Sequence, residues 1–312
     1  MLELFDFMLP DAKSSITAES TDSLFHFISE VSLLFLIGIT IMLVYSMIKY
    51  RRKSEDDVTP VITHNNTLEV TWSVVPTILV IGIFFWGYDG FLTLNTPPDN
   101  AYEIHVTGQK WSWTYDYQNG VSIANELHVP SGRPIKLVMK SNDVIHSFFI
   151  PEYRIKKDVL PNRYTSVWFQ ADEPGEAQVY CTEYCGTSHS GMLSTVTVHS
   201  QDDFDTWLAK EFAENQNQSP VQFGESLFSL KACGSCHSID GSSGIGPSFQ
   251  GLYGKEENLA DGSTVTVDEN YIRESILNPG AKIVNGFGNV MPAQDLSDNE
   301  ITALIEYIKT LK

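Results

Sequence analysis

The chain has 312 residues, a length that suits two or three folded units rather than one small domain. Its 20 basic and 39 acidic residues give a formal net charge of −19, which argues against nucleic acid as a partner and against docking on an anionic membrane face. A basic protein is the partner that such a surface suits. Four cysteines are too few for a disulfide scaffold, so their spacing matters more than their number.

Two apolar runs near the N-terminus predict a pair of membrane-spanning helices. Residues 31–48 and 70–88 carry no charged side chain. At ~1.5 Å per residue, each run comes close to the ~30 Å thickness of the hydrocarbon core. A buried helix pair inside a soluble core is the alternative interpretation.

The charges that follow the first run predict the orientation of this hairpin. Four basic residues lie directly after it: Lys49, Arg51, Arg52 and Lys53. Positive charge in a short loop marks the cytoplasmic side, so both chain ends are expected outside. We assign residues 1–98 to an N-terminal segment and the hairpin, with spans at about residues 25–48 and 70–94.

The middle of the chain has the alternation and composition of β-strands. Examples are EIHVTGQKWSWTYDY and PIKLVMKS, with turn signals at Asn119-Gly120 and Ser131-Gly132. Several short strands over this length predict a β-sandwich or a small barrel. We assign residues 99–214 to this domain.

One loop of this domain carries a set of soft metal donors. Cys181, Cys185, His189 and Met192 follow one another closely in VYCTEYCGTSHSGMLST. Two thiolates, an imidazole and a thioether favour copper over Mg²⁺ or Ca²⁺. Two cysteines in this arrangement can bridge two copper ions, each of which needs its own imidazole. His146, upstream at the start of a predicted strand, is the candidate for the second imidazole.

Two other interpretations of this loop remain open at the sequence level. A Cys181–Cys185 disulfide would suit an oxidising compartment. A tetrahedral zinc site would not need the methionine. The remaining histidines are predicted to be surface or hydrogen-bonded residues: His26, His64, His105, His128 and His199.

A second site is predicted near the C-terminus. Cys233-Gly-Ser-Cys236-His237 has the C-x-x-C-H pattern of covalent c-type haem attachment, in which two thiols bind the vinyl groups and the histidine binds the iron. After His237 the sequence holds no further histidine or cysteine and a single methionine, Met291, which is therefore the candidate distal ligand. A redox dithiol also uses C-x-x-C, but it needs neither the histidine nor a distal ligand.

The elements around this site predict a small all-α domain at residues 221–312. Helices are expected at residues 221–232, 270–277 and 297–309, the last opened by the capping box of Ser297 and Glu300. A short amphipathic helix is expected to begin near Asp202. The polar stretch at residues 215–220 is the predicted linker.

Taken together, these residues resemble subunit II of the haem–copper cytochrome c oxidases, in which a two-helix hairpin precedes a cupredoxin domain with a dinuclear CuA centre. The resemblance implies that the thiolates bridge the two copper ions and that the backbone carbonyl of Glu183 completes the site. The implied copper ligands are His146, Cys181, Glu183, Cys185, His189 and Met192. The Glu183 side chain is similar to one that reaches a Mg²⁺ or Mn²⁺ ion at the border with subunit I.

Further positions match the same families. Trp111 in GQKWSWTYDY matches the tryptophan through which electrons enter, and Ser112 stands where other members often carry a tyrosine. Glu69 in LEVTWSVVP matches an acid near the mouth of a proton channel of subunit I. The segment GIGPSFQGLYG resembles the loop that packs the haem edge in class I cytochromes c. The fused cytochrome domain implies an oxidase of the caa3 type.

The resemblance implies a respiratory electron-transfer subunit in the bacterial cytoplasmic membrane, with both termini and both redox domains on the periplasmic side. Electrons would pass from cytochrome c or a cytochrome bc-type complex through haem c, whose edge is expected to dock near Trp111, to CuA and then to the haem of subunit I. Oxygen reduction and proton translocation belong to the complex, which includes subunits I and III. The alternatives are a CuA-bearing subunit of a nitric oxide reductase and a membrane-tethered copper carrier or thiol-disulfide protein.

Overall fold

The computed structural model describes residues 5–14, 16–58, 61 and 63–312, so the first four residues of the predicted N-terminal segment lie outside it. The chain forms a helical hairpin, a β-sandwich and a small helical domain. The helices are α1 Thr17–Lys49, α2 Asn66–Asn95, α3 Gln201–Gln216, α4 Pro220–Leu230, α5 Glu269–Leu277 and α6 Asp298–Thr310. The strands are β1 Tyr102–Gln109, β2 Ser112–Asp116, β3 Ser122–Ala124, β4 Glu126–Pro130, β5 Pro134–Ser141, β6 His146–Ile150, β7 Ile155–Val159, β8 Thr165–Gln170, β9 Gly175–Cys181, β10 Leu193–His199, β11 Glu256–Asn258 and β12 Thr264–Thr266.

Helices α1 and α2 are long and apolar enough to cross a membrane, by length and composition. None of the most apolar stretch of either helix is buried inside the protein, which contradicts the alternative of a buried helix pair in a soluble core. Both helices extend beyond the predicted spans of residues 25–48 and 70–94. The predicted span of α1 began where the apolar residues begin. The polar residues before it also form turns of α1, because they pack on the sandwich.

Contacts near the N-terminal end of α1 and the C-terminal end of α2 fix the hairpin to the β-sandwich. The guanidinium of Arg154, which is 8% exposed, donates to both carboxylate oxygens of Asp22, at 2.8 and 3.0 Å. The Thr17 hydroxyl donates to the carbonyl oxygen of Tyr153 at 2.7 Å. At the end of α2, the indole N–H of Trp168 donates to the carbonyl of Thr93 at 2.9 Å, where a helix has no partner of its own for its last carbonyls. The hairpin therefore has a defined position relative to the strands.

The two sheets of the sandwich have the strand orders β3-β2-β1-β5-β8 and β4-β10-β9-β6-β7. Alternate residues of each strand point inward, and aromatic side chains such as Trp113, Tyr115 and Phe148 are fully buried between the sheets. Trp113 and Phe148 meet edge to face with ring centroids 5.2 Å apart. The cupredoxin-like sandwich expected from the sequence is confirmed.

The C-terminal domain packs α4, α5 and α6 around its own core. Gly224 of α4 lies so close to α6 that a Cβ atom there would come within 2.0 Å of the Ala303 carbonyl oxygen, which is why the crossing needs a glycine. The capping box of Ser297 and Glu300 opens α6 as predicted. A second capping box, of Ser219 and Gln222, opens α4. The predicted all-α cytochrome domain is confirmed, with one small addition, the hairpin of β11 and β12.

The connection between the two domains is shorter than the predicted linker of residues 215–220. Helix α3 continues to Gln216 and α4 begins at Pro220, so only residues 217–219 lie outside helices. The polar residues that end α3 are compatible with a helix, and Ser219 with Pro220 form a favourable N-cap and first position. Composition alone therefore overestimated the length of the flexible segment.

Candidate metal and haem sites

The strand pairing explains how residues far apart in the sequence meet in the metal loop. Strand β6 pairs with β9 so that Phe148 lies opposite Cys181, which places His146, at the start of β6, beside the cysteine. Cys185 and His189 lie in the loop between β9 and β10, and Met192 lies directly before β10. The sheet thus brings the upstream histidine to the loop.

The donor atoms of this loop form one compact cluster. The two Sγ atoms of Cys181 and Cys185 are 3.8 Å apart. Nδ1 of His146 lies 3.9 Å from Cys181 Sγ, and Nδ1 of His189 lies 3.5 Å from Cys185 Sγ. Met192 Sδ is 3.8 Å from Cys185 Sγ. Each thiol therefore has one imidazole beside it, which is the arrangement that two bridged metal ions require.

Backbone and burial complete this cluster. The carbonyl oxygen of Glu183 lies 3.3 Å from Cys181 Sγ, while the Glu183 side chain is exposed. His146 and Met192 are fully buried. Both cysteines are free thiols, and their separation is far beyond the ~2 Å of a disulfide, so the disulfide interpretation does not describe this structure.

An acid that the sequence analysis did not select orients one of the imidazoles. Nε2 of His146 donates to Oδ1 of Asp143 at 2.8 Å, which turns Nδ1 toward the cysteines. The other carboxylate oxygen of Asp143 accepts the backbone N–H of Lys110 at 2.8 Å. The signal was present in NDVIHSFFIP, where the acid precedes the histidine by three residues.

The two thiols of the cluster differ in acidity. Burial opposes ionisation of Cys181, but hydrogen bonds from His146 and the backbone outweigh it and lower the pKa of this thiol to about 6. Burial, together with the neighbouring charge of Cys181, raises the pKa of Cys185 to about 12. Cys181 is therefore the more acidic thiol of the pair, and a bound cation would displace the remaining thiol protons. The donor set of two thiolates, two imidazoles and a thioether fits copper.

Trp111 lies directly against the metal loop. A Cβ atom on Gly186, the residue after Cys185, would come within 3.0 Å of the Trp111 ring, so the indole packs on the loop backbone. Ser112 is buried, and its hydroxyl donates to Oδ1 of Asn125 at 3.1 Å. Ser112 therefore has a structural role in the sandwich.

The residues predicted to hold a haem line one largely apolar cavity in the C-terminal domain. These residues are Cys233, Cys236, His237 and Met291. Nδ1 of His237 donates to the Pro247 carbonyl at 2.7 Å, which leaves Nε2 as the lone-pair atom for an iron. The His237 ring stacks on Phe249 with centroids 4.5 Å apart, so the segment GIGPSFQGLYG orients the imidazole from two sides. The donor set and the apolar lining fit a covalent haem.

The acidity of the two C-terminal thiols argues against a redox dithiol. Burial raises the pKa of Cys233 to about 11 and also raises the pKa of Cys236. A redox-active dithiol works through a thiolate whose pKa is lowered. Neither thiol of this pair has such an environment.

The haem cavity and the metal loop lie on either side of one turn between β1 and β2. Lys110 of the sandwich lines the haem cavity together with Lys231 of the C-terminal domain. The next residue, Trp111, packs on the metal loop. The two sites are therefore neighbours in space, although the sequence separates Cys185 from Cys233.

Three further candidates make local structural contacts in the described residues. The Glu69 carboxylate accepts the backbone N–H of Asn65 at 3.2 Å and so helps to cap α2. His128 stacks on Trp207 with centroids 4.1 Å apart, and its Nδ1 lies 2.8 Å from Nε2 of His199. This stack holds α3 on the sandwich, which agrees with the prediction that these histidines are hydrogen-bonded residues.

Comparison with known proteins gives three family matches. Residues 3–89 match the transmembrane domain and residues 120–200 the periplasmic domain of cytochrome c oxidase subunit II, and residues 221–312 match cytochrome c. Cytochrome c oxidase subunit 2 of Alkalihalophilus pseudofirmus is 32% identical over 301 residues, which cover 92% of this chain and 86% of that protein. The protein of the same name from Synechocystis is 28% identical over 250 residues, covering 65% and 75% of the two chains.

Among solved structures, the periplasmic domain of subunit II of cytochrome oxidase from Bradyrhizobium japonicum is 27% identical to this chain. It covers 38% of this chain and 99% of its own length, with a TM-score of 0.37. The similarity to the Alkalihalophilus pseudofirmus protein extends over nearly the whole chain, and the family matches include the membrane hairpin and both predicted redox domains.

Proposed function

The chain belongs to the cytochrome c oxidase subunit II family, and on that premise we propose that it is the electron-transferring subunit of a caa3-type terminal oxidase. Electrons pass from an external donor to the C-terminal cytochrome domain, then to the metal loop of the sandwich, and then to subunit I. Oxygen is reduced to water on subunit I, with proton translocation by the complex. This chain therefore supplies the electron path and not the oxygen chemistry.

The residues of the metal loop support a dinuclear copper centre. Cys181 and Cys185 would hold the ions together with His146 and His189, since each thiol has its own imidazole within 3.9 Å. The Glu183 carbonyl oxygen, beside Cys181, and Met192, beside Cys185, would supply further donors. When bound, such a centre accepts and releases single electrons with little rearrangement of its ligands. Burial of His146 and Met192 keeps water from competing for these positions.

The C-terminal domain supports a covalent haem in the same way. Cys233 and Cys236 would hold the haem covalently, and the His237 Nε2 atom and the Met291 thioether, which line the same cavity, would be available as ligands to its iron. A His/Met pair gives the haem a high reduction potential, which suits electron transfer. The Pro247 carbonyl and the Phe249 ring fix the plane of the imidazole.

The observation that carries this proposal is the position of the turn between the two sites. Lys110 lines the haem cavity, and Trp111 packs on Gly186 of the metal loop. Trp111 would therefore be the side chain through which electrons reach the copper ligands. Electron transfer between the haem cavity and the metal loop requires the two sites to be close. In this fold they are neighbours within one chain.

The surroundings indicate the partners. Subunits I and III would surround the hairpin, and the net charge of −19 suits a basic cytochrome c as donor, or a cytochrome bc-type complex that contacts the outer domains. The exposed Glu183 side chain is available for a Mg²⁺ or Mn²⁺ ion shared with subunit I. Glu69, which lies at the other end of α2 from the sandwich, would stand near a proton channel of subunit I.

The location follows from the charges and from the chemistry. The basic residues after α1 favour a cytoplasmic loop, so both redox domains would lie outside the bacterial cytoplasmic membrane. Haem attachment takes place on that side of the membrane, which agrees with this orientation.

Purification of the complex with its partner subunits tests the proposal. We expect reduced cytochrome c to drive consumption of oxygen and not of nitric oxide. Nitric oxide consumption without oxygen consumption would instead assign the chain to a nitric oxide reductase.

A further inference from the structure

Two hydrogen bonds join the sandwich strands to the cytochrome domain, and both end on the same atom. The side-chain amide of Gln109 donates from Nε2 to the carbonyl oxygen of Leu230 at 3.1 Å. The Thr114 hydroxyl donates to the same oxygen at 3.4 Å. Leu230 is the last residue of α4, and the last carbonyls of a helix have no partner within the helix. The sandwich therefore caps the C-terminus of a helix that belongs to the other domain.

The Gln109 amide is held in the orientation that this contact needs. Its Oε1 accepts a hydrogen bond from Nδ2 of Asn142 at 3.4 Å, so its NH₂ group points to Leu230. The backbone N–H of Asn142 in turn donates to the Gly108 carbonyl at 3.0 Å, which fixes Asn142 beside β1. Gln109 and Thr114 are both half-buried, so the contact is partly shielded from competing water.

The position of this contact relates it to the electron path. Gln109 precedes Trp111 by two residues, and Leu230 precedes the haem-attaching Cys233 by three. The contact therefore links the turn that packs on the metal loop to the loop that would hold the haem. The backbone N–H of Lys110, between Gln109 and Trp111, is bonded to Asp143, which orients the buried His146.

Charge does not supply the orientation in place of these hydrogen bonds. Helix α4 lies against β3 beside them, and three acidic side chains line the open cleft at this border: Glu126, Glu214 and Glu225. Like charges across a cleft do not attract, so they do not select one docked arrangement. The connection of residues 217–219 keeps the domain close, at an effective concentration on the order of millimolar, but a tether fixes distance and not orientation.

We propose that Gln109 and Thr114 are positioning residues that hold the cytochrome domain, through the Leu230 carbonyl, in the orientation that transfers electrons to the metal loop. The expected effect on electron transfer rests on the proposed function, whereas the hydrogen bonds to the Leu230 carbonyl do not depend on it. Loss of one hydrogen bond of ordinary strength should lower the ratio of docked to undocked domain about fivefold.

The test compares four single variants of the complete oxidase and one double variant, which combines Gln109→Glu with Thr114→Val. Gln109→Glu replaces the amide donor by an acceptor of the same shape, and Thr114→Val replaces the hydroxyl by a methyl group. Thr114→Ser keeps the hydroxyl and is the first control. Gln118→Glu is the second control, because it makes the same charge change at an exposed amide of the sandwich. In the described residues, the Gln118 amide donates to the Glu103 carbonyl at 3.2 Å, a contact within the sandwich.

Two measurements are made on each variant. Hydrogen exchange of the backbone amides at residues 228–235 reports opening of the contact, and flash reduction of the cytochrome domain reports electron transfer to copper. We expect exchange to become about fivefold faster in Gln109→Glu and in Thr114→Val. It should become faster still when both are combined, without being the simple product of the two effects, because the two bonds share one acceptor. Electron transfer should slow by at least about threefold in the double variant, with unchanged haem and copper spectra. Both controls should match the wild type.

Each other outcome has a distinct meaning. Wild-type exchange in the double variant would overturn the proposal, because the contact would not hold the domain. Faster exchange with wild-type electron transfer would overturn the positioning role. If the wild type itself transfers no electron between the domains while the variants still exchange faster, the contact stands and the proposed order of carriers fails.

Discussion

Nε2 of His146 donates to Oδ1 of Asp143 at 2.8 Å, and this carboxylate is the link between the metal loop and the turn that borders the haem cavity. Outer-shell partners of this kind fix the ring orientation of a ligating histidine and raise its basicity. Asp143 also accepts the Lys110 backbone N–H, so one carboxylate holds both the candidate ligand and the turn in place.

Substitution of Asp143 by alanine is predicted to weaken copper binding. The imidazole of His146 would lose the acceptor that points Nδ1 toward Cys181. Removal of such outer-shell partners typically lowers metal affinity by about 10–100-fold, and we expect a loss of copper affinity of about that size in this variant. Copper titration of the full chain against a competing chelator measures the effect. Asp116→Ala, which removes a surface carboxylate bonded to Ser122, is the control. Equal copper affinity in both variants would show that Asp143 does not orient a ligand.

The metal loop is predicted to bind two copper ions for each haem c. Two thiols with an imidazole each would leave a single copper ion with surplus donors. Cys185→Ser should abolish the mixed-valence optical and EPR signature and leave the haem c spectrum intact, because the two sites lie in separate domains. Tyr184→Phe changes an exposed side chain of the same loop and should preserve the signature. A single copper ion, or zinc, in the wild type would contradict the prediction.

Met291→Ala is predicted to leave the haem covalently attached but to change its potential. Attachment needs Cys233 and Cys236, whereas loss of the thioether would lower the haem potential and open the sixth position to carbon monoxide. A redox titration with carbon monoxide difference spectra measures both effects. Ala293→Ser alters a nearby exposed side chain that does not line the cavity and should have neither effect. An unchanged potential in Met291→Ala would exclude Met291 as the axial ligand.

Trp111→Ala is predicted to slow electron transfer from the cytochrome domain to copper by about tenfold or more, since small losses of contact along a reacting path have large rate effects. Both metal spectra should be unchanged, because Trp111 is not a ligand. Trp111→Phe keeps an aromatic ring against Gly186 and should retain much of the rate. Wild-type kinetics in the alanine variant would mean that the aromatic ring only packs.

The sequence predicted the parts of the sites that are local. Cys181, Cys185, His189 and Met192 fall within one short loop, so their residue types alone indicated a soft metal site. The C-x-x-C-H pattern indicated the haem site for the same reason. His146 required the pairing of β6 with β9, and the sequence indicated it by its place at the start of a predicted strand and by the family resemblance.

The features that the sequence did not predict depend on long-range packing. The contact of Gln109 with Leu230 joins residues 121 positions apart, and neither residue type suggests it. The polar first turns of α1 remain helical because Thr17 and Asp22 bond to the sandwich, which an apolar pattern cannot show. Asp143 was missed because an acid near a candidate ligand is common on an acidic surface.

Flash reduction of the cytochrome domain in the complete wild-type oxidase tests the central claim most directly. The account predicts that haem c oxidises and copper becomes reduced in one first-order step, with a rate independent of protein concentration. That internal step should change little with salt, whereas reduction by a basic donor should slow as salt screens the acidic surface over a Debye length of ~8 Å. Reduction of copper by the external donor while haem c stays reduced, or a copper reduction rate that rises with protein concentration, would contradict the account.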